Sequence, residues 1–166
     1  TRDQAKTFIY AFLYGAGDAK IGSITGGTAR DGKRLKEKFL ANTPALGRLR
    51  ERVGVASGRG YVLGLDRRRV AIRSSHAALN SLLQSAGAII MKKALCLLDE
   101  YATIWGLDYH IIGNIHDEIQ TEVREKDAEV FGRLATSCVE AAGLFYKLNC
   151  PLAGDYKVGN TWADTH

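Results

Sequence analysis

Four side chains near the start of the chain recur at four-residue intervals and combine positive charge with aromatic rings. They are Arg2, Lys6, Tyr10 and Tyr14, within the segment TRDQAKTFIYAFLYG. On an α-helix, side chains at this spacing share one face, so the four form a stripe roughly 18 Å long. Arg offers a planar fork to phosphate oxygens and Lys a compact charge, and an aromatic ring stacks on a base. The stripe is therefore suited to a triphosphate that lies beside a sugar and a base.

The opposite side of the same segment indicates how the stripe is held. The helix is predicted over residues 2–15 and ends at Gly15, where the chain turns tightly. Spacing alone does not decide the function, because cations on one face are also the common decoration of a solvated helix. The apolar residues that we expect to pack against the protein are Ala5, Phe8, Ile9 and Phe12.

A second chemical pattern is the sequence IIGNIHDEIQTEV at residues 111–123. Two runs of strand-forming residues flank a polar tripeptide, which predicts strand, turn and strand with His116, Asp117 and Glu118 at the turn. Two adjacent carboxylates on a turn offer oxygen ligands to a hard divalent cation. A polar hairpin turn without any ligand has the same composition, so this alternative stays open on the tripeptide alone.

Polar side chains also recur within a long apolar segment that predicts a helix over residues 75–104. His76, Asn80 and Gln84 are spaced four by four, and burying such groups is costly unless they are hydrogen-bonded. Asn and Gln donate and accept hydrogen bonds, which suits the acceptors of a nucleic-acid minor groove. Bonding to the neighbouring backbone, or capping of the helix, explains the same spacing equally well.

Charge is divided unevenly along the 166 residues. Residues 1–73 hold 16 Lys and Arg against 6 Asp and Glu, a net of +10, and residues 74–166 hold 7 against 12, a net of −5. A basic half of this kind indicates a polyanionic partner. The length predicts about one domain, and a hydrophobic content of 46% supports a real core.

The remaining composition favours a cytoplasmic protein without a membrane partner. Cys96, Cys138 and Cys150 lack metal-binding spacing and predict reduced thiols. We find no signal peptide, no apolar run of about 18 residues and no membrane anchor. Met91 is the only methionine, and we expect the chain to be the C-terminal part of a longer protein.

Outside these motifs the sequence predicts a mostly helical α+β fold. The ending, PLAGDYKVGNTWADTH, predicts a strand. The other expected elements are helices at residues 18–25, 29–41, 44–53 and 126–147, a loop at 54–60, and a small hairpin formed by 61–65 and 70–73.

In type and order, these motifs resemble those of family A DNA polymerases, and most of all the replicative polymerases of short-tailed phages. R-x3-K-x3-Y-x3-Y-G resembles motif B of the fingers, N-x3-Q-x-A (Asn80 to Ala86) a helix that contacts primer–template DNA, and HDE motif C of the palm. The resemblance covers essentially the whole chain. It implies a partial fingers subdomain at residues 1–74 and a partial palm subdomain, with part of an antiparallel sheet, at residues 75–166. The thumb, motif A and any exonuclease domain are expected to be absent from it.

The resemblance also implies a role for each residue of the first motif in template-directed DNA synthesis. Arg2 and Lys6 would clamp the triphosphate of an incoming deoxynucleotide, and Lys6 would donate a proton to the leaving pyrophosphate. Tyr10 would lie near the nucleotide sugar and Tyr14 near the template base. Gly15 would allow the tight turn behind them.

For the hairpin, the resemblance implies a two-metal magnesium site. Asp117 would bind metal, Glu118 would lie beside it as a further acid or occasional ligand, and His116 would position the hairpin or the primer end. The second principal Asp belongs to motif A, so the 166-residue chain alone is expected to be inactive. His166 is expected near the active site. The implied contacts to primer–template DNA are His76, Asn80, Gln84 and Arg73.

Two other interpretations compete with a DNA polymerase. A single-subunit RNA polymerase shares the Arg, Lys and Tyr-Gly frame, but usually has Met where this chain has Tyr10 and Ser where it has Glu118. A non-catalytic nucleic-acid-binding module explains the basic half, but gives no reason for paired acids on a hairpin. Any processivity factor is expected to bind through regions absent from this chain.

Overall fold

Helices make up most of the computed structural model, which describes residues 1–166, and two short antiparallel hairpins complete it. This confirms the mostly helical α+β fold. The chain forms two compact units, Thr1–Ser85 and Ala86–His166. The helices are α1 (Arg2–Leu13), α2 (Asp18–Ile24), α3 (Ala29–Asn42), α4 (Pro44–Ser57), α5 (Ala78–Ile104), α6 (Ala128–Phe145) and α7 (Trp162–Thr165). The strands are β1 (Tyr61–Leu63), β2 (Arg69–Ala71), β3 (Tyr109–Ile115) and β4 (Glu118–Val123).

Helix α1 begins with a reciprocal cap in which Thr1 and Gln4 satisfy each other's backbone N–H groups. It buries Phe8 and Phe12, whose rings meet the edge of Phe39 of α3 at centroid distances of 5.2 and 5.1 Å. Ala5 and Ile9 were expected to pack on the same side, but both are exposed. The prediction is wrong for Ala5 and Ile9 because the aromatic cluster covers only the narrow face of α1 that carries Phe8 and Phe12.

Helices α2 and α3 cross closely because glycines face each other's backbone. A Cβ atom on Gly32 would lie 1.9 Å from the carbonyl oxygen of Asp18, and one on Gly22 would lie 2.0 Å from that of Thr28. No side chain fits at either position without moving backbone. The two helices therefore form one tightly packed pair, with Ile21 fully buried at its centre.

Helix α4 and the β1–β2 hairpin share a second core with the start of α5, built on Val53, Val62, Ala78 and Leu79. The predicted hairpin is confirmed, with Tyr61 opposite Ala71. The predicted loop at 54–60 is wrong for its first part, since α4 continues to Ser57. A glycine weakens a helix by only about 1 kcal/mol, and packing of the following turn outweighs it.

Helix α5 is preceded by a 3₁₀ turn at Ser75–Ala77. The segment Ser75–Ile104 is long and apolar enough, by length and composition, to cross a membrane, with a mean hydropathy of 1.4 over its most apolar window. The prediction that no such run exists is therefore wrong on this criterion. The core helix of a protein outside a membrane passes the same test, so a membrane partner is not thereby indicated.

In the second unit, α5 and α6 enclose a core of Leu98, Ala102, Phe131, Leu134 and Cys138, against which the β3–β4 hairpin packs. The three cysteines are free thiols. Helix α6 is shorter than predicted because a 3₁₀ turn at Glu125–Asp127 precedes it.

The predicted C-terminal strand is wrong, since the chain has no regular structure from residue 149 until α7. The tail instead lies along α6, where Tyr156 covers Gly132 and Leu152 covers Gly143. A strand needs a partner edge for its backbone groups, and a helix surface offers none.

Candidate functional site

The cation and aromatic stripe lies on the exposed face of α1. Arg2 and Lys6 are exposed, and the side chains of Tyr10 and Tyr14 remain 53% and 55% exposed. The two buried phenylalanines on the opposite side fix the rotation of the helix. The arrangement leaves two positive charges and two ring faces free for a ligand.

The aromatic end of the stripe meets the start of α5. The side-chain amide Nε2 of Gln84 donates to the Tyr14 hydroxyl at 3.3 Å. Gly15 has a φ of +76°, and a Cβ atom there would lie 2.6 Å from the carbonyl oxygen of His76. Glycine is therefore required at this turn for two reasons, its left-handed backbone and the close approach of His76.

The remaining residues predicted to contact DNA are less tightly grouped. Arg73 is exposed and Asn80 is half-buried. His76 belongs to the 3₁₀ turn before α5, so it does not continue the regular α-helical spacing of Asn80 and Gln84. The His76 backbone lies next to Gly15, and the shared face of His76, Asn80 and Gln84 stays a prediction.

A cavity of about 130 Å³ opens beside this junction. Ligand pockets usually measure about 300 Å³ or more, so this one is too small for a nucleotide. The cavity's lining residues are Phe12, Leu13, Gly15, Arg50, Val53, Gly54, Ser75, His76 and Leu79.

The hairpin turn holds His116 and Asp117 between paired strand ends, Ile115 opposite Glu118. Glu118 was predicted in the turn, but it is the first residue of β4, so the two carboxylates belong to different parts of the hairpin. His116 has a φ of +56°, a left-handed conformation that is costly for a residue with a Cβ atom. Asp117 is exposed at the tip.

Glu118 is engaged by neighbouring side chains. The Gln120 amide donates to Oε1, and His166 Nδ1 lies 3.1 Å from Oε2. Thr165 donates to the Gln120 amide oxygen at 3.3 Å. The hydrogen bond from Gln120, followed by the hydrogen bond and charge of His166, holds the pKa of Glu118 below its ordinary value of 4.5. Glu118 is therefore ionised, with much of its acceptor capacity already used.

The donor set of the hairpin fits part of a magnesium site. Mg²⁺ is usually bound through one or two carboxylates together with water and substrate phosphates. Asp117 supplies such a carboxylate, fully accessible at the turn. The structure has no group of three or more His, Cys, Asp or Glu side chains placed to hold a metal ion.

The sequence analysis did not predict a role for two residues near these sites, Gln120 and Lys36. Gln120 follows Glu118 by two positions, and this same-face strand spacing was an available signal. Lys36 Nζ donates to the carbonyl oxygen of Ala16 at 2.6 Å and lies 2.9 Å from Asp18 Oδ1. Nothing in the sequence distinguishes it from the other lysines of α3.

Comparison with known proteins gives a consistent result. The family described as DNA polymerase family A matches residues 1–164. The DNA-directed DNA polymerase of Escherichia phage T7 is 43% identical over 188 residues, covering 100% of this chain and 27% of that protein. That of Escherichia phage Phieco32 is 40% identical over 173 residues, covering 100% and 28%.

A solved structure shares the fold. It is the POL domain of Pol1 from M. smegmatis, in complex with DNA primer-template and dNTP. Its TM-score is 0.77 at 22% identity, covering 85% of this chain and 27% of that one.

The fold and the order of motifs thus define a polymerase segment, as the resemblance predicted. This chain belongs to DNA polymerase family A. It spans 27% and 28% of the lengths of the two phage relatives.

Proposed function

We propose that the protein performs template-directed DNA synthesis in DNA replication, as a DNA-directed DNA polymerase. It transfers deoxynucleotides to a primer 3′ end, with primer–template DNA and dNTPs as partners. The observation that carries the proposal is the exposed cation and aromatic stripe of α1 in a member of this family. A cytoplasmic location, and a processivity factor bound outside these residues, belong to the same proposal.

The α1 stripe accounts for nucleotide binding. Arg2 and Lys6 bind the triphosphate oxygens, since both are exposed and free of acidic partners on their own face. Lys6 donates a proton to the pyrophosphate oxygen as negative charge develops there. Tyr10 lies against the sugar and Tyr14 against the template base. The tight turn at Gly15 ends the helix directly behind this site.

The hairpin accounts for metal binding. Asp117 would hold Mg²⁺, and the Glu118 carboxylate, which Gln120 and His166 contact, would lie beside the site. Bound magnesium would supply activation of the primer hydroxyl and charge neutralisation at the triphosphate. His116 holds the tip of the hairpin in its left-handed conformation and so sets the direction of the Asp117 carboxylate.

The start of α5 accounts for contact with the primer–template. Asn80 and Gln84 offer amides to minor-groove acceptors that are present at every base pair, which gives binding without strong sequence preference. His76 and Arg73 add contacts to the sugar–phosphate backbone. Because Gln84 also binds Tyr14, one side chain joins the DNA-facing helix to the nucleotide-binding helix.

The 166-residue chain alone is expected to be inactive. Asp117 is the one principal carboxylate that the resemblance assigns to these residues, and they contain no group of three metal-ligating side chains. Removing one principal carboxylate from a two-metal site removes the geometry that both metals share.

Primer extension with deoxynucleotides and ribonucleotides in parallel tests the proposal. The full-length gene product is expected to extend with deoxynucleotides and the isolated chain with neither. Extension with ribonucleotides alone would instead identify an RNA polymerase. DNA binding that is salt-sensitive, independent of divalent metal and without extension would identify a binding module.

A further inference from the structure

A lysine of α3 holds the turn that follows α1. Lys36 Nζ donates to the carbonyl oxygen of Ala16 at 2.6 Å and forms an ion pair with Asp18 at 2.9 Å. Only 15% of its side chain is exposed, whereas Lys33 of the same helix is 68% exposed. A lysine with a covered stem and two oxygen partners is fixed in place rather than solvated.

Lys36 supplies a charge that α1 itself lacks. The last turn of α1 has no basic residue, and a cation near a helix C-terminus is stabilising. Phe39, one turn further along α3, packs against Phe8 and Phe12. The same face of α3 therefore holds both the buried side of α1 and the turn after it.

Three consecutive residues of this turn are each held by a different segment. Tyr14 accepts a hydrogen bond from Gln84, Gly15 packs on the backbone of His76, and Ala16 accepts from Lys36. The Lys36 contact is the only one of the three that combines a formal charge with a partly buried hydrogen bond. It therefore contributes most to fixing the backbone beside Tyr14.

We propose that Lys36 is a positioning residue for nucleotide selection. By fixing the Ala16 carbonyl it sets the place of Tyr14 at the aromatic end of the stripe. This inference rests on the proposed function of that stripe. Without the Lys36 contact the turn gains freedom, and the site distinguishes correctly paired from mispaired nucleotides less well.

The test compares Lys36→Met and Lys36→Arg in the full-length gene product, with Lys33→Met as the matched control. Single-nucleotide incorporation on primed DNA is measured for a correct and a mispaired dNTP. We expect Lys36→Met to raise the KM for the correct nucleotide about tenfold, with kcat changed less than about threefold. The preference for the correct nucleotide should fall by a similar factor, and Lys36→Arg should restore part of it.

A merely structural role predicts another pattern. Lys36→Met would then lower the active fraction, measured as burst amplitude, while the surviving enzyme keeps the wild-type KM and selectivity. That result overturns the inference, as does an equal effect of Lys33→Met. If Lys36→Met does not fold, Lys36→Gln, which removes the charge at the Ala16 carbonyl but keeps a polar side chain, is judged by the same readouts. Failure of the proposed function is distinguishable, because wild-type protein would then incorporate no nucleotide.

Discussion

The Gln84 amide donates to the Tyr14 hydroxyl at 3.3 Å, and this bond joins α5 to the end of α1, the helices that carry the proposed DNA-contacting and nucleotide-binding residues of the first unit. The two residues are 70 positions apart in sequence. Neither motif alone predicts the contact. It means that the position of the Tyr14 ring and the availability of the Gln84 amide to any other partner depend on each other.

This coupling is measurable by a double-mutant cycle. Tyr14→Phe and Gln84→Ala should be non-additive by about 0.5 kcal/mol in unfolding free energy, the value of an exposed neutral hydrogen bond. Urea unfolding of the two single variants and the double variant provides the measurement. Tyr10→Phe combined with Gln84→Ala is the control, since no hydrogen bond joins that pair, and it should be additive. Additivity in both pairs would remove the proposed link.

Because His116 has a left-handed backbone, substitutions there can distinguish the effect of the backbone conformation from the effect of the imidazole. His116→Gly should leave the unfolding free energy within about 0.5 kcal/mol of wild type, because relief of strain offsets the greater entropy of the unfolded chain. His116→Val should destabilise by about 1–2 kcal/mol, because a β-branched residue is poorly tolerated there. Chemical denaturation of the variants checks both values. Equal stability of the two would show that the turn is not strained.

The polymerase activity of the His116→Gly variant tests whether the imidazole itself has a role. If His116 positions the hairpin through its side chain, the stable His116→Gly variant should still lose activity in primer extension. Full activity in that variant would limit His116 to its backbone conformation.

The pKa of Glu118 provides a test of the hairpin's electrostatics. Its folded-state pKa is lowered below 4.5, first by Gln120 and then by His166. The stabilising contribution is therefore present above the unfolded value and is lost as pH falls through the folded value. Gln120→Leu should raise the pKa of Glu118 towards 4.5 in a carboxyl NMR titration. An unchanged titration curve would show that Gln120 does not set the charge state.

Because α2 and α3 pack closely, we expect Gly32 to tolerate no larger residue. Gly32→Ala should destabilise the protein by about 3 kcal/mol, because the added Cβ atom meets the Asp18 backbone at 1.9 Å and both helices must separate. Gly54→Ala, with open space around it, is the control and should stabilise or leave stability unchanged. Thermal unfolding distinguishes them, and tolerance of Gly32→Ala would contradict the described packing.

Periodicity and turn chemistry predicted most of the secondary structure and the position of both principal motifs. Helix α1, the long α5 and the β3–β4 hairpin followed from local patterns that their own residues dictate. Errors occurred where tertiary packing decides. Helix α4 continues through Gly54 because it packs on the hairpin, and the tail follows α6 rather than pairing as a strand.

The candidate site was predictable only as separate motifs. The spacing of the stripe residues follows from one helix, so the exposed face of Tyr10 and Tyr14 could be inferred. Two contacts join segments that are distant in sequence: the hydrogen bond of Gln84 to Tyr14 and that of Lys36 to the Ala16 carbonyl. No local pattern encodes such contacts. The domain division at residues 74 and 75, and the role of each site residue, remain predictions.

Primer extension by the full-length gene product carrying Asp117→Asn, compared with wild type, tests whether the β3–β4 hairpin binds the catalytic metal. Glu140→Gln is the matched control, because it also replaces an exposed carboxylate by an amide, on α6. We expect Asp117→Asn to lower deoxynucleotide incorporation at least about 100-fold while primer–template binding persists, and Glu140→Gln to retain wild-type activity. Wild-type incorporation by Asp117→Asn would contradict the assignment of the hairpin as the catalytic metal-binding element.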